Sequence, residues 1–421
     1  MKNKINIPIL FSLVLSMCMT TLFTSCEKDY TGKYEMTCGV PTITFIRYQS
    51  NDLAGQLLDG AYMGDNILII GENLTSIQEV WFNNVKALLN INLITKNTLF
   101  VTVPRDLPSE QTNKIYFVTG EKDTITYDFE VRIPAPIINL MKCEFLPEGA
   151  DVVIYGDYFL ATDPSRINVF IGDYEIPTSD IVSYEKTKIV FKAPPMSVKG
   201  QVEIKTLYGN SGRTKAIFRD DRGMITTFDD DYPIVAGWGR PNAGQIQNDP
   251  ELALVGNYLR WDGEITDPTA WNGGYDAPKS WVLNYWGEEN GTPSGNLFSS
   301  DPATSTLKFE VNVLQAWSAY PIGFLFYSQG DSENKIWDDG YPRGLWRPWY
   351  SSNGTISPYT TEGWITVSIP LKDFNLNTKG EVATPDFPTA FGGLTIVAKA
   401  AGHPGEACNP VILIDNIRVI P

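Results

Sequence analysis

The chain repeats itself once, at a spacing that few architectures accommodate. Ile67-Leu68-Ile69-Ile70-Gly71-Glu72-Asn73-Leu74 has a counterpart 85 residues on, Val152-Val153-Ile154-Tyr155-Gly156-Asp157-Tyr158-Phe159. Val80-Trp81-Phe82 matches Val169-Phe170-Ile171, and Leu99 to Pro104 matches Ile189 to Pro194. Val131-Arg132 matches Phe218-Arg219, so the offsets stay between 85 and 90 residues. A unit of that length is too long for a solenoid repeat and suits a tandem β-sandwich. Its segments are short, alternating and separated by turn residues, as half-buried strands require. The repeats are expected over residues 40–134 and 135–220. Ile133-Pro134-Ala135-Pro136 between them is short and stiffened by proline. Trp81, in an apolar strand, is expected in the core.

From about residue 221 the character changes. Ten of the eleven Trp lie between Trp238 and Trp364. The strands still alternate, as in Leu307-Lys308-Phe309-Glu310-Val311-Asn312-Val313, and no long segment has the 3.6 period of a helix. About 200 residues of this kind fit one jelly-roll domain. The fold class is therefore all-β: two tandem sandwiches, then a jelly roll over residues 221–421.

Charge and histidine content exclude several functions. With 33 basic and 49 acidic residues the net charge is −16, which disfavours nucleic acid and electrostatic docking on anionic lipid. The single histidine, His403, lies in a turn sequence and excludes zinc sites built on histidine pairs. Cys38, Cys143 and Cys408 are widely spaced, with neither a disulfide framework nor a metal motif.

The strand-Gly-acidic-Asn/Tyr-Leu/Phe run, the Val-x-Phe/Ile strand after it and the strand ending in Pro resemble the IPT/TIG family of immunoglobulin-like domains, over both repeats. Gly363 to Leu371 and Ile414-Asp415-Asn416-Ile417-Arg418-Val419 resemble the later strands of galactose-binding-like jelly rolls, and Phe228-Asp229-Asp230 resembles their first strand. At the N-terminus, Lys2 and Lys4 precede a short apolar stretch, Ile7 to Phe23, followed at once by polar sequence, as in a secretory signal rather than a membrane span. Leu22-Phe23-Thr24-Ser25-Cys26 resembles a lipoprotein signal, which implies a signal peptide at 1–25, lipidation of Cys26 and a tether over 26–39. Glu27-Lys28-Asp29 resembles the surface-export signal of Bacteroidetes lipoproteins. Removing Lys2 and Lys4 takes the net charge from −16 to −18. The whole layout is similar to the surface glycan-binding lipoproteins of Bacteroidetes polysaccharide-utilisation systems, above all those with a C-terminal xyloglucan- or β-glucan-binding domain. That resemblance implies a protein anchored by lipid in the outer membrane and exposed at the surface. Its partners would be a neutral polysaccharide, an outer-membrane glycan transporter and another glycan-binding lipoprotein of the same system.

The tryptophans fit that expectation chemically. A β-linked glucan presents flat C–H faces edged by hydroxyls, and an indole covers such a face without needing hydrogen bonds. Burying about 100 Å² of apolar surface contributes roughly 2.5 kcal/mol per ring. A polyanionic protein can bind such a ligand because the ligand is neutral. In Trp281-Val282-Leu283-Asn284-Tyr285-Trp286, period two puts Trp281, Leu283 and Tyr285 on one face and Val282, Asn284 and Trp286 on the other. Trp281 is expected in the core and Trp286 as a surface platform. Trp261 and Trp271 lie beside turn residues, and Trp337, Trp346, Trp349 and Tyr350 flank a stretch rich in Gly, Pro and Asp. The expected glycan platforms are Trp286, Trp271, Trp346 and Trp349, with Tyr285, Tyr350, Trp261 and Trp337 as further contacts. Trp364 is expected to pack, and Trp317 suits either role.

Two alternatives compete with glycan binding. A glycoside hydrolase would need a carboxylate pair, for which Glu251, Glu264, Glu288 and Asp338-Asp339 lie near tryptophans but in no catalytic motif. A protein-binding adhesin would use the sandwiches and leave the tryptophan concentration unexplained. No cofactor is expected to be required. Resemblance to calcium-holding jelly rolls implies a structural Ca²⁺ at Asp229, Asp230 and Asp415.

Overall fold

A computed structural model describes residues 39–161, 166–234, 239, 241, 244–269, 281–290, 304–327, 341–377, 379–387, 391–399 and 405–420. Cys26, the signal and most of the tether, Cys38, Trp271, Trp337, Asp338, Asp339 and His403 lie outside these residues. Among the described residues the structure is almost wholly β, with short 3-10 turns and one four-residue helical turn, Gly287–Asn290. No helix among them is long and apolar enough to cross a membrane. The chain divides into two compact units, residues 1–134 and 135–421.

The first unit packs one sheet of strands Thr42–Tyr48, Asn66–Glu72 and Thr98–Thr102 with a second of Val85–Lys86, Ile77–Phe82, Lys114–Thr119 and Thr124–Asp128. Ile67, Ile69, Val80, Leu99, Ile115 and Phe117 are fully buried. Trp81, expected in the core, is half-buried on the outward side of its strand, because Val80 and Phe82 take the inward positions. Its indole N–H donates to Glu79 Oε2 at 2.9 Å, and the Lys86 ammonium lies 5.6 Å from its ring.

The second repeat has the same plan. Ile137–Met141, Asp151–Asp157, Lys188–Lys192 and Ile181–Glu185 form one sheet; Tyr174–Glu175, Asn168–Ile171, Gly200–Thr206 and Gly209–Asn210 form the other. The repeated motif has a backbone cause. At Gly71 a Cβ would stand 2.0 Å from Thr42 O, and at Gly156 2.0 Å from Ile137 O, so only glycine lets the paired strand pass. Two residues later the backbone turns left-handed, at Asn73 (φ 55°) and Tyr158 (φ 60°). The next residue, Leu74 or Phe159, enters the core and donates its N–H to Lys96 O or Lys186 O at 3.0 Å.

Residues beyond the second repeat form a two-sheet sandwich around one large apolar cluster. One sheet runs Ile246–Gln247, Tyr258–Asp262, Val411–Ile420, Thr306–Gln315, Ile365–Pro370, with Met224–Thr226 also paired to Val411–Ile420. The other runs Val282–Trp286, Gly393–Ala398, Ile322–Tyr327, Gly344–Trp346.

The second repeat and this sandwich belong to one unit, joined by buried charge. The Arg418 guanidinium, fully buried, donates to Glu310 Oε2 at 2.7 Å and Glu310 Oε1 at 3.0 Å. It also donates to Glu144 Oε2 at 3.2 Å, across from the second repeat. Lys308 reaches both Glu144 oxygens, at 2.6 and 2.9 Å. Burial works against the Arg418 charge, but the carboxylates of Glu310 and Glu144 outweigh it and hold the guanidinium protonated. Breaking one partner of such a cluster typically costs about 3–5 kcal/mol, because the remaining charge stays buried. Glu144→Ala is therefore expected to lower the melting temperature markedly, read by thermal unfolding. A fragment of residues 135–421 should melt higher than one of residues 221–421, which lacks Glu144. Equal melting of the two fragments would contradict this account of the joint.

Candidate surface for a polysaccharide

The four-stranded sheet divides its side chains by period two. Leu283, Tyr285, Leu394, Ile396, Ile322, Phe324 and Phe326 point into the apolar cluster. The intervening residues, Val282, Asn284, Trp286, Gly393, Thr395, Val397, Gly323, Leu325 and Tyr327, share the opposite face.

That second face is aromatic and polar. The ring centroids of Trp286 and Tyr327 lie 5.1 Å apart at an interplanar angle of 57°. Gly393 makes room for this pair: a Cβ there would stand 2.3 Å from the Tyr327 ring. The Tyr327 hydroxyl donates to Tyr285 O at 3.0 Å, which fixes the ring's tilt. Trp286 is held from behind as well, its carbonyl accepting from Asn290 Nδ2 at 2.8 Å. Beside the rings, Thr395 Oγ1 donates to Asn284 Oδ1 at 2.6 Å. Arg343 lies at the far edge, its Cδ 3.4 Å from where a Gly323 Cβ would be. Of the residues on this face Trp286 is half-buried, whereas Tyr327, Asn284, Thr395 and Arg343 are buried and support it from below.

The expected platforms separate into three groups. Trp286, Trp346 and Tyr350 are half-buried and keep accessible surface. Trp346 is the most committed to packing of the three, with Trp317, Phe309 and Tyr359 around it at 5.2, 5.5 and 6.0 Å. Tyr350 carries the Arg347 guanidinium 4.9 Å above its ring. Trp271 and Trp337 lie outside the described residues. Trp261, Trp349 and Tyr285 are corrected to core.

Each of these three has a definite reason to be inside. Trp261 pairs with Ile412 in mid-sheet and packs on Trp281 at 5.8 Å; it is 1% exposed. Trp349, also 1% exposed, sits against Trp317 at 6.3 Å. Tyr285 takes the inward position of its strand, and burial pushes its phenol up to about 12. Turn residues beside a tryptophan thus did not mark exposure. Strand alternation served better, since it placed Trp286 on the face opposite the inward-pointing Leu283 and Tyr285. The support that Tyr327 gives Trp286 was not foreseen because Ile322 to Tyr327 reads as uniformly apolar. Trp281 and Trp317 are core, and Trp364 packs edge-on against Tyr258 at 6.3 Å.

The carboxylates expected to hold calcium divide too. Asp415 is buried and accepts from Asn416 N at 2.7 Å. Burial raises its carboxyl well above the usual range, and the nearby Glu310 and Asp229 carboxylates push the same way. Asp229 accepts from Asn257 N at 2.7 Å, whereas Asp230 is exposed. Among the described residues no group of three or more His, Cys, Asp or Glu is placed to hold a metal ion. Calcium needs six to eight oxygens, so these side chains do not by themselves fit it.

Residues 218–421 match the family model for the surface glycan-binding protein B xyloglucan binding domain, and residues 136–218 match the IPT/TIG domain. The crystal structure of surface glycan-binding protein PbSGBP-B from Prevotella bryantii is 31% identical, with a TM-score of 0.63, covering 91% of this chain and 99% of that one. The chain belongs to the surface glycan-binding protein B family. A Bacteroides uniformis structure, SGBP-B from a complex xyloglucan utilization locus, is 17% identical with a TM-score of 0.49, covering 91% of this chain and 99% of that one. An IPT/TIG domain-containing protein of Bacteroides ovatus is 23% identical over 225 residues, 50% of this chain and 45% of the relative. The chain thus spans about half the length of the curated relative it matches.

Two outcomes follow for the side chains. Trp261→Ala should destabilise the fold by about 3–5 kcal/mol, the usual cost of emptying a buried indole site, whereas Trp286→Ala should leave the melting temperature nearly unchanged. Melting curves of both variants check this. Melting in EGTA and in calcium chloride should coincide; a rise of several degrees with calcium would show that backbone oxygens complete a site at Asp229 and Asp415.

Proposed function

We propose that this chain is a non-catalytic, cell-surface lipoprotein that captures a neutral β-glucan of the xyloglucan type on its C-terminal domain. The observation that carries the reading is Trp286, which keeps accessible surface on the outer side of its sheet and is backed by the buried Tyr327 ring 5.1 Å away. The Trp286 ring suits the C–H face of a glucosyl unit, which asks no hydrogen bond of it. The net charge of −16 favours a neutral ligand over an acidic polysaccharide. The family model's own description, a xyloglucan-binding domain, agrees with this chemistry.

Among the described residues, binding is favoured over hydrolysis by what occupies the buried carboxylates. Glu144 and Glu310 are engaged by Lys308 and Arg418, and Asp415 accepts a backbone N–H. Glu251 and Glu264 are exposed. A glycosidase needs two carboxyl groups facing each other across the scissile bond. In this reading Cys26 carries the lipid that holds the chain in the outer membrane. An outer-membrane transporter takes over the captured glycan.

Calorimetry of the full chain against a panel of neutral polysaccharides tests the proposal. Xyloglucan should bind, and Trp286→Ala should weaken binding roughly 30- to 150-fold, the equivalent of about 2–3 kcal/mol for one lost platform. Undiminished binding by Trp286→Ala with an intact fold would remove that ring from the site. Release of reducing sugar on prolonged incubation, abolished by a single carboxylate substitution, would overturn the non-catalytic assignment.

A further inference from the structure

A second groove lies where the second sandwich meets the C-terminal one, away from the four-stranded sheet. Its volume is about 330 Å³, within the roughly 300–1,000 Å³ span of small-molecule sites. One wall is the outer face of the second repeat, where Tyr155 and Lys188 lie on paired strands and Asp151 stands two turns of the pleat away. The other wall is Glu362, Gly363 and Trp364 at the entry to the Ile365–Pro370 strand, with Lys142 of the second repeat facing them.

Both walls are fixed before anything binds. Thr366 N donates to Lys142 O at 3.0 Å, and Glu144 N donates to Thr366 Oγ1 at 2.7 Å, so the walls share hydrogen bonds. The Trp364 ring cannot swing freely: its indole N–H donates to Leu252 O at 2.7 Å and its edge meets Tyr258. Gly363 has φ 72°, a left-handed turn that sets where this ring enters the groove. A locked ring loses little freedom on binding, which is the condition for a useful platform.

The charges decide the class of ligand. Two cations, Lys142 and Lys188, line the groove with two anions, Asp151 and Glu362. Lys142 lies 3.8 Å from Glu362, and Asp151 is paired with Lys192 at 2.7 Å. A cavity balanced in this way offers neither an anion nor a cation a net attraction. It does offer hydroxyl groups both donors and acceptors, between two half-buried aromatic side chains, Trp364 and Tyr155.

We infer that this groove is a second saccharide subsite, taking one or two hexosyl units of a neutral polysaccharide. The inference rests on the proposed glucan-binding function and adds a place that only a long chain, or a second chain, would reach. Two weak sites on one rigid unit retain a polymer better than either alone, through effective concentration rather than new contacts. A short oligosaccharide would gain nothing from the pair.

Hydrogen exchange on the full-length wild-type protein, with xyloglucan polymer and with a short xyloglucan oligosaccharide, separates the outcomes. Saturating polymer should protect residues 151–155, 186–190 and 362–366 as well as the sheet face around Trp286. Protection of the sheet face alone would overturn the groove subsite and leave the glucan-binding reading standing. Protection of neither would overturn both. A Tyr155→Ala, Lys188→Ala double variant then reads the same point by affinity. Polymer affinity should fall at least fivefold while oligosaccharide affinity at the sheet face stays within twofold of wild type. Equal polymer affinity in wild type and a folded double variant would also remove the subsite.

Discussion

The contact between Arg418 and the carboxylates of Glu310 and Glu144 holds the binding half of this protein in one piece. Arg418 is on the closing strand, Val411–Ile420, which lies in the middle of its sheet. Glu310 comes from the neighbouring strand and Glu144 from the second repeat. An ion pair this deep stabilises little on balance, since desolvation offsets most of the attraction. Its value lies in geometry. Thr366 donates to Glu310 Oε1 at 2.8 Å, Arg418 donates also to Asn416 O at 2.8 Å, and the guanidinium lies 5.2 Å from the Phe145 ring. So many directional bonds admit one arrangement of the two sandwiches, where an apolar contact would admit several. The groove between them inherits that rigidity.

The two sheets of the C-terminal sandwich divide the work. The larger sheet carries the long strands, the buried charges and the junction with the second repeat. The smaller sheet gives one face to the core, and on its other face buried Tyr327, Asn284 and Thr395 support Trp286, which keeps accessible surface. Glycine has a definite job there, since the Tyr327 ring occupies the space a Gly393 side chain would fill. Burial also explains the surplus of tryptophan: Trp261, Trp281, Trp317 and Trp349 fill the core.

Much of the fold was legible in the sequence because its cause is local. The repeated Gly-acidic-Asn/Tyr-Leu/Phe run marks a place where one backbone crosses another at contact distance, and no other residue fits. Strand alternation likewise put Trp281 inside and Asn284 with Trp286. What the sequence did not carry was the effect of distant chain. Trp349 follows a Gly- and Pro-rich stretch, yet packs on Trp317, which is 32 residues earlier in the chain. Trp261 sits beside a glycine, yet lies in mid-sheet because Val411–Ile420 returns to cover it. Glu144 carries no local sequence signature, because its role depends on Lys308 and Arg418, far along the chain.

The central claim is that a sugar chain lies on the Trp286 face and that the other indoles are mostly scaffold. Indole N–H resonances report this directly, one per tryptophan. On titration with a xyloglucan oligosaccharide, the account predicts saturable shifts of Trp286 while Trp261, Trp281, Trp317 and Trp349 stay in place. Shifts confined to those buried rings, or an unmoved Trp286 at saturation, would contradict it.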